Sequence, residues 1–197
     1  MYEIDSIEEK LILKRAVKGD RDAFAEIYDF YVVKIYRFVY LKTSSKEIAE
    51  DLTSDTFLKC WKYIQKKKNE GNSKDIIKNN KLGSFLYKIA RNLVIDYYRK
   101  KKDLSVEIDE VEKYSISDDK QDLLSQITIK QEIEELRKSL NLLKDDYQEI
   151  LILRYVEDLD IKEIADITGK SEGSLRVQIH RATKSLEKVM KMRKKIE

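Results

Sequence analysis

Apolar residues recur at intervals of three and four along most of the chain, which is the period of an amphipathic α-helix. Residues 4–18 show this period, and Gly19 supplies a stop signal after them. Asp20 is a suitable N-cap for a second helix. The apolar stripe of that helix contains Phe24, Ile27, Tyr28, Tyr31, Ile35 and Phe38. The pattern therefore predicts two successive helices, with the aromatic stripe facing a neighbouring helix.

Two further helices are predicted before residue 103. Ser44 and Glu47 have the spacing of a capping box, which predicts a third helix through about Ile64. Residues 65–83 have no sustained period and predict an exposed loop. A fourth helix is predicted from Ser84 to about Lys102, and its inward positions are Phe85, Leu86, Ile89, Ala90, Leu93, Val94 and Tyr97.

The last third of the chain has the pattern of a helix-turn-helix. Asp160 and Glu163 form a second capping-box sequence at the start of a short helix. Gly169 predicts the turn, and Ser171 predicts the cap of the following basic helix. Before this motif, the helical period returns at about Leu123. It gives two apolar stripes: Ile133, Leu136, Leu140 and Leu143, followed by Tyr147, Ile150, Leu151 and Tyr155.

Composition agrees with an all-α fold. The chain has 197 residues, no proline and only five glycines, which leaves too few turn signals for a β-sandwich or barrel. The acidic, weakly periodic stretch after residue 102 predicts a flexible linker. We therefore expect two small helical domains, residues 1–102 and 126–197, joined by an acidic linker over residues 103–125.

The number of cysteines and the first residues of the sequence indicate in which cellular compartment the protein is expected. Cys60 is the single cysteine, so neither an intramolecular disulfide nor a zinc knuckle can form. The first residues carry acidic groups before an apolar run and lack a cleavage-site pattern, which does not fit a signal peptide. No stretch approaches the roughly 20 apolar residues of a membrane span. The expected protein is cytoplasmic.

The formal net charge of +3 conceals a strong segregation of charge. Residues 63–102 hold 12 basic and 3 acidic residues, net +9, and residues 168–197 hold 9 and 3, net +6. Residues 103–130 carry net −5, from 3 basic and 8 acidic residues, and residues 131–167 carry net −6, from 5 and 11. Two basic surfaces are therefore predicted, and each is a candidate for phosphate contact.

The first basic surface mixes cations with aromatic rings, a combination suited to single-stranded nucleic acid. Lysine and arginine neutralise phosphates, and aromatic rings stack on unpaired bases. The alternative is a solvated helix end that the helix dipole favours. The residues predicted to face outward are Tyr87, Lys88, Arg91, Asn92, Tyr98, Arg99 and Lys100, followed by Lys101 and Lys102.

The second basic surface is the outward face of the helix after the Gly169 turn. Arginine reads guanine with two hydrogen bonds, glutamine reads adenine, and valine touches the methyl group of thymine. The alternative is an ordinary basic amphipathic helix. The candidate DNA-contacting residues are Ser174, Arg176, Val177, Gln178, His180, Arg181 and Lys184.

Catalytic and metal-binding signals are weak. His180 is the single histidine, with no cysteine or carboxylate at a spacing that suggests a triad or metal site. No phosphate-binding glycine loop is present. We therefore expect a protein that is not an enzyme and that needs neither a metal nor a cofactor.

Four sequence blocks, in this order, resemble bacterial RNA polymerase sigma factors of the sigma-70 family, of the extracytoplasmic-function (ECF) type. The resemblance covers nearly the whole chain. The blocks are GDRDAFAEIYDFYVVKIYRFVY (19–40), AEDLTSDTFLKCW (49–61), SFLYKIARNLVIDYYRKKK (84–102) and IKEIADITGKSEGSLRVQIHRATKSL (161–186).

The resemblance implies a role for each region. The helix over 47–61 would dock on the clamp of the polymerase's largest subunit, through Asp51, Ser54, Asp55 and Phe57. The helix over 84–102 would capture the melted downstream (−10) promoter element. The helix-turn-helix would read the upstream (−35) element in duplex form. The implied partners are core RNA polymerase and promoter DNA, together with an anti-sigma protein of the kind that holds many relatives.

Two other hypotheses remain open from the residues alone. One is a DNA-binding regulator that uses only the helix-turn-helix, with the first domain serving in dimerisation or sensing. The other is a nuclease, which would need a cluster of carboxylates around a metal ion.

Overall fold

The structure is a computed structural model that describes residues 6–70, 82–105 and 136–193. By its internal contacts the chain divides into two compact units. The first contains the residues up to Lys102, and the second contains most of the chain from Asp103 onward.

Four helices form the first unit: α1 (Ser6–Val17), α2 (Arg21–Thr43), α3 (Lys46–Asn69) and α4 (Leu82–Ser105). Helix α1 packs against α2 and α3, and α2 packs against α3. A partly buried hydrogen bond joins the first two helices, because the hydroxyl of Tyr31 donates to Glu9 Oε1 at 2.8 Å.

The start of α2 confirms the predicted N-cap. Asp20 Oδ1 accepts hydrogen bonds from the backbone N–H groups of Asp22 at 3.0 Å and Ala23 at 3.1 Å. Arg15 adds a contact of 2.9 Å to the second carboxylate oxygen. The pKa of Asp20 is lowered, chiefly by the hydrogen bond from Ala23 and then by Arg15, against an opposing effect of burial.

The junction between α2 and α3 differs from the prediction by one residue. Ser44 ends α2 in the left-handed region, with φ 55°, and its N–H donates to Tyr40 O at 2.8 Å. The N-cap of α3 is Ser45, whose hydroxyl accepts from the N–H of Ile48 at 3.4 Å. The predicted capping box at Ser44 is wrong because that serine is needed to end the preceding helix.

Aromatic pairs join the helices of the first unit. Phe38 of α2 meets Tyr87 of α4 edge to face, with ring centroids 5.6 Å apart. Further pairs join α2 to α3 and α3 to α4: Phe24–Trp61, Tyr28–Phe57 and Tyr63–Phe85. Cys60 of α3 is a free, buried thiol, and burial raises its pKa to about 12. It is therefore protonated and unreactive at neutral pH.

The predicted loop over 65–83 and linker over 103–125 both need correction at their ends. Helix α3 continues to Asn69 and α4 begins at Leu82, so helix replaces both ends of the predicted loop. Helix α4 continues to Ser105, three residues into the predicted linker. The remaining parts of both predictions, residues 71–81 and 106–125, lie outside the described residues.

The second unit contains α5 (136–141), α6 (Asp145–Leu151), a π-helical turn (Ile152–Val156), α7 (Ile161–Thr168) and α8 (Glu172–Arg193). Helix α6 packs against α8. Among the described residues of this unit, the buried apolar side chains include Leu140, Ile150, Leu151, Ile152, Leu153, Ile164, Leu175 and Ala182.

Tyr155 departs from the predicted apolar stripe. Its side chain is exposed, although the stripe placed it with Ile150 and Leu151. The π-helical turn explains the difference, because its i→i+5 bonding changes the angular spacing of the residues that follow. Leu153 takes the buried position instead.

The helix-turn-helix forms as the sequence predicts. Glu163 N–H donates to Asp160 Oδ1 at 2.7 Å, and Asp160 N–H donates to Glu163 Oε2 at 2.8 Å, which completes the capping box. Gly169 ends α7 with φ +73°, a left-handed conformation that glycine adopts without strain. The hydroxyl of Ser171 accepts from Ser174 N–H at 3.3 Å at the start of α8.

Both units are helical, and the described residues contain no strand, which confirms the all-α fold class. None of the helices in these three described ranges is long and apolar enough to cross a membrane.

Alanine substitutions at two glycines test the left-handed turn at Gly169. An added Cβ would meet nothing within 4 Å at Gly169 or at Gly173, so steric clash contributes to neither substitution. Gly169→Ala should lower the free energy of unfolding by about 1 kcal/mol, because alanine is strained at positive φ. Gly173→Ala lies inside α8 and should raise it by about 0.5 kcal/mol, since alanine favours a helix.

Thermal unfolding of the full chain, followed by calorimetry, measures both changes. About 1 kcal/mol corresponds to about 4–8 °C in the midpoint of a unit of this size. Equal shifts for the two variants would contradict the left-handed turn at Gly169.

Candidate nucleic-acid interface

One face of α8 is buried and the other carries the predicted DNA-contacting residues. Leu175 and Ala182 are fully buried on the inner face. Six of the seven predicted side chains are exposed on the outer face: Ser174, Arg176, Val177, His180, Arg181 and Lys184. The helix therefore presents cations, a hydroxyl and an apolar group to a common surface, next to the turn that begins it.

Two of the predicted α8 residues have partners within the fold. Arg176 donates to Glu172 Oε2 at 3.0 Å, one turn earlier on the exposed surface. Gln178 is half-buried, and its Oε1 accepts from Lys170 Nζ at 3.2 Å. The same ammonium group donates to Asp146 Oδ2 of α6 at 3.1 Å.

The outer face of α4 forms the first basic surface. Lys88, Asn92, Arg99 and Lys100 are exposed, and Arg91 is half-buried. Arg99 pairs with Asp96 on its own helix at 3.0 Å, an exposed ion pair that solvent screens strongly. The run of lysines to Lys102 continues this surface at the end of the helix.

Tyr98 is the exposed aromatic ring of this surface that the sequence predicted. Its side chain is 42% exposed, and its hydroxyl donates to the backbone oxygen of Lys42 at 2.8 Å. Tyr97 contacts it edge to face, with centroids 5.3 Å apart. The hydrogen bond and the neighbouring ring restrict the rotation of Tyr98 while part of the ring stays open to solvent.

The predicted outward position of Tyr87 is wrong. Tyr87 is 1% exposed and packs on Phe38, because it shares the inner stripe of α4 with Ala90 and Val94. Ile95 is exposed instead. The sequence did not single it out, although it lies three residues after Asn92 and seven after Lys88, on the same outer stripe.

The acidic face of α3 is the candidate polymerase-contacting surface. Asp51, Ser54 and Asp55 are exposed, as are Glu47 and Glu50. Within the described parts of the chain, none of these five side chains makes a hydrogen bond or an ion pair. The negative charge of the four carboxylates is therefore available to solvent or to another molecule.

Tyrosines of α2 lie beside this acidic face. The rings of Tyr36 and Tyr40 stack with centroids 6.0 Å apart. The pKa of Tyr36 is raised by burial, then by the negative charge of Glu50 and by Tyr40. The acidic field of α3 therefore extends to the neighbouring helix.

Phe57 does not belong to the exposed part of that face. It is 3% exposed and packs on Tyr28, with centroids 4.7 Å apart. Leu58 is exposed in its place, and the sequence pattern did not single it out. Phe57 and Leu58 also line an open cleft between α2 and α3, with a volume of about 380 Å³. Its other lining residues are Arg21, Phe24 and Trp61.

Neither basic surface contains a constellation suited to metal chemistry. In the three described ranges, no three histidine, cysteine, aspartate or glutamate side chains come together in a way that could hold a metal ion. His180 stands exposed on α8 among cations.

Two family models match the chain. Sigma-70 region 2 matches residues 27–103, and sigma-70 region 4 matches residues 133–186. The protein SigW of Bacillus subtilis, an ECF RNA polymerase sigma factor, is 32% identical over 193 residues, covering 91% of this chain and 95% of SigW. The chain belongs to the ECF sigma factors of the sigma-70 family. It is a sigma factor for promoter-specific transcription initiation.

Two other relatives are also ECF RNA polymerase sigma factors. SigM of Bacillus subtilis is 33% identical over 168 residues, which cover 82% of this chain and 91% of SigM. BldN of Streptomyces coelicolor is 28% identical over 186 residues, which cover 94% of this chain and 67% of BldN.

Solved structures share the fold of this sigma factor. RpoE of Bartonella quintana, crystallised with the anti-sigma factor NepR, superposes with a TM-score of 0.65 at 23% identity, covering 85% of this chain and 96% of RpoE. CnrH, in complex with the cytosolic domain of CnrY, gives a TM-score of 0.68 at 16% identity, covering 95% and 99%.

Proposed function

We propose that this sigma factor divides its work between the two units. Residues 1–102 hold core RNA polymerase and the melted −10 element, residues 126–197 read the −35 element, and residues 103–125 connect them. The observation that carries this proposal is the placement of one exposed basic face on α4 of the first unit and another on α8 of the second. The protein acts in the cytoplasm and by binding rather than catalysis.

The acidic face of α3 is the proposed contact to polymerase. Asp51 and Asp55 are exposed and have no partner among the described residues, so a basic surface can pair with them without breaking an existing ion pair. Complementary charge of this kind speeds association and fixes orientation. Leu58 adds exposed apolar area next to the acidic pair.

The α4 face is the proposed trap for unpaired bases. Stacking on an aromatic ring contributes about 1–3 kcal/mol per base, which is comparable with the few kcal/mol that unstacking a base requires. Tyr98 supplies a ring already restrained by its bond to Lys42. Lys88, Arg99 and Lys100 supply charge for the backbone of the same strand.

The α8 face is the proposed reader of duplex DNA. A helix enters the major groove with its first turns against the base edges, and the exposed residues from Ser174 to Arg181 occupy those turns. An anti-sigma protein is a further proposed partner, as RpoE has one in its complex.

Charge reversal tests the α3 surface. Asp51→Lys and Asp55→Lys should each weaken binding of the full chain to purified core polymerase by about tenfold or more, since loss of a close charge pair and new repulsion act together. Glu187→Lys, an exposed position on α8, is the control with the same change of charge. Unchanged polymerase affinity, with DNA binding retained, would favour a regulator that acts without polymerase.

Two substitutions at Tyr98 separate stacking from the hydrogen bond. Tyr98→Ala in holoenzyme should weaken binding to a single-stranded downstream-element oligonucleotide by about 1–3 kcal/mol. Tyr98→Phe keeps the ring and loses only the bond to Lys42, so its effect should be about 1 kcal/mol or less. Tyr155→Ala removes an exposed tyrosine of the second unit and is the control. Equal effects of the first two variants would argue against stacking.

Substitution of the α8 arginines distinguishes base from phosphate contact. Arg176→Ala and Arg181→Ala should each cost about 1–3 kcal/mol in promoter affinity and relax the preference at one upstream position. Arg176→Lys keeps the charge but not the forked geometry, so it should relax preference with a smaller loss of affinity. A loss that is uniform across all upstream sequences would assign the arginines to phosphates.

A further inference from the structure

Lys170 joins two helices of the second unit through one ammonium group. The residue lies in the turn between α7 and α8, directly after Gly169. Its Nζ lies 3.1 Å from Asp146 Oδ2 of α6 and 3.2 Å from Gln178 Oε1 of α8. The Lys170 side chain is 23% exposed and that of Asp146 is 61% exposed, so solvent screens their ion pair, whereas the contact with Gln178 is partly buried.

The chemistry of these groups fixes the orientation of the Gln178 amide. An ammonium group donates hydrogen bonds and accepts none. The atom of Gln178 that it contacts is therefore the carbonyl oxygen, and the amide nitrogen is the group left to serve another molecule. The neighbouring carboxylate of Asp146 holds the ammonium in place.

This orientation bears on which base Gln178 can read. A free glutamine pairs with adenine by accepting from N6–H and donating to N7. Here the accepting oxygen is already bonded to a cation, and the positive charge of Lys170 repels a further donor that approaches it. Acceptors are not opposed in this way. Guanine presents two of them in the major groove, N7 and O6, whereas adenine presents N7 beside the N6–H donor.

We propose that Lys170 is a positioning residue for base specificity, anchored by Asp146, and that it restricts Gln178 to donating hydrogen bonds. At the base pair that Gln178 faces, the protein selects guanine, with two acceptors, over adenine, with one acceptor beside a donor. This proposal rests on the proposed reading of the upstream element by α8.

The test uses holoenzyme with the full chain and a promoter library randomised over the upstream element. Gln178→Ala identifies the relevant position as the one where preference flattens. At that position the unsubstituted protein should disfavour adenine, and Lys170→Met should raise the relative selection of adenine by about fivefold or more, the low end of one two-bond contact. Asp146→Asn keeps the ammonium and weakens its anchor, so a smaller shift in the same direction is expected.

Lys162→Met is the matched control, because it removes one exposed cation from α7 of the same motif. It should weaken binding uniformly and leave the base preference unchanged. If the base preference is unchanged in both Lys170→Met and Asp146→Asn, the proposal is overturned. The Asp146→Asn result decides where Lys170→Met lowers the stability of the protein. Selection that is flat across the upstream element for the unsubstituted protein would instead contradict the proposed function of α8.

Discussion

The contact between Tyr87 and Phe38 determines which surface α4 presents. A buried ring cannot rotate away without leaving a void or exposing apolar area, so this contact fixes the angle of α4 about its own axis. Once Tyr87 faces inward, the 3.6-residue period places Lys88, Asn92, Ile95 and Arg99 outward as a single stripe. The basic surface is thus a geometric consequence of core packing. The hydrogen bond from Tyr98 to Lys42 adds a second restraint at the end of α2.

The second unit depends in the same way on burial at one face of a helix. Leu175 and Ala182 face inward, so the residues between them on the opposite side are exposed. The left-handed turn at Gly169 and the cap at Ser171 set where α8 begins, and hence which residues occupy its first turns. A sigma factor needs both surfaces on stable helices, because a flexible surface would lose conformational entropy on each encounter with DNA.

The sequence predicts features that depend on a few neighbouring residues, and it fails where a distant contact decides. Asp20, Asp160 and Gly169 behave as predicted because caps and turns are local. Ser44 and Ser45 can both cap a helix. Ser45 caps α3 because Ser44 adopts the left-handed conformation that ends α2. Tyr87 has a polar hydroxyl, so the pattern alone does not show that its ring lies under the basic surface. The ion pair between Lys170 and Asp146 joins residues 24 positions apart, which no local pattern reveals.

Screening explains why the small net charge of +3 is compatible with DNA binding. At physiological ionic strength, exposed charges interact over about 8 Å, so a ligand experiences the local surface and not the total charge. The exposed cations of α4 and α8 therefore attract anions independently of the exposed carboxylates of α3. The same carboxylates favour a basic protein partner and repel nucleic acid. Segregated charge thus gives different faces of one small protein different electrostatic preferences, which a uniformly basic chain could not have.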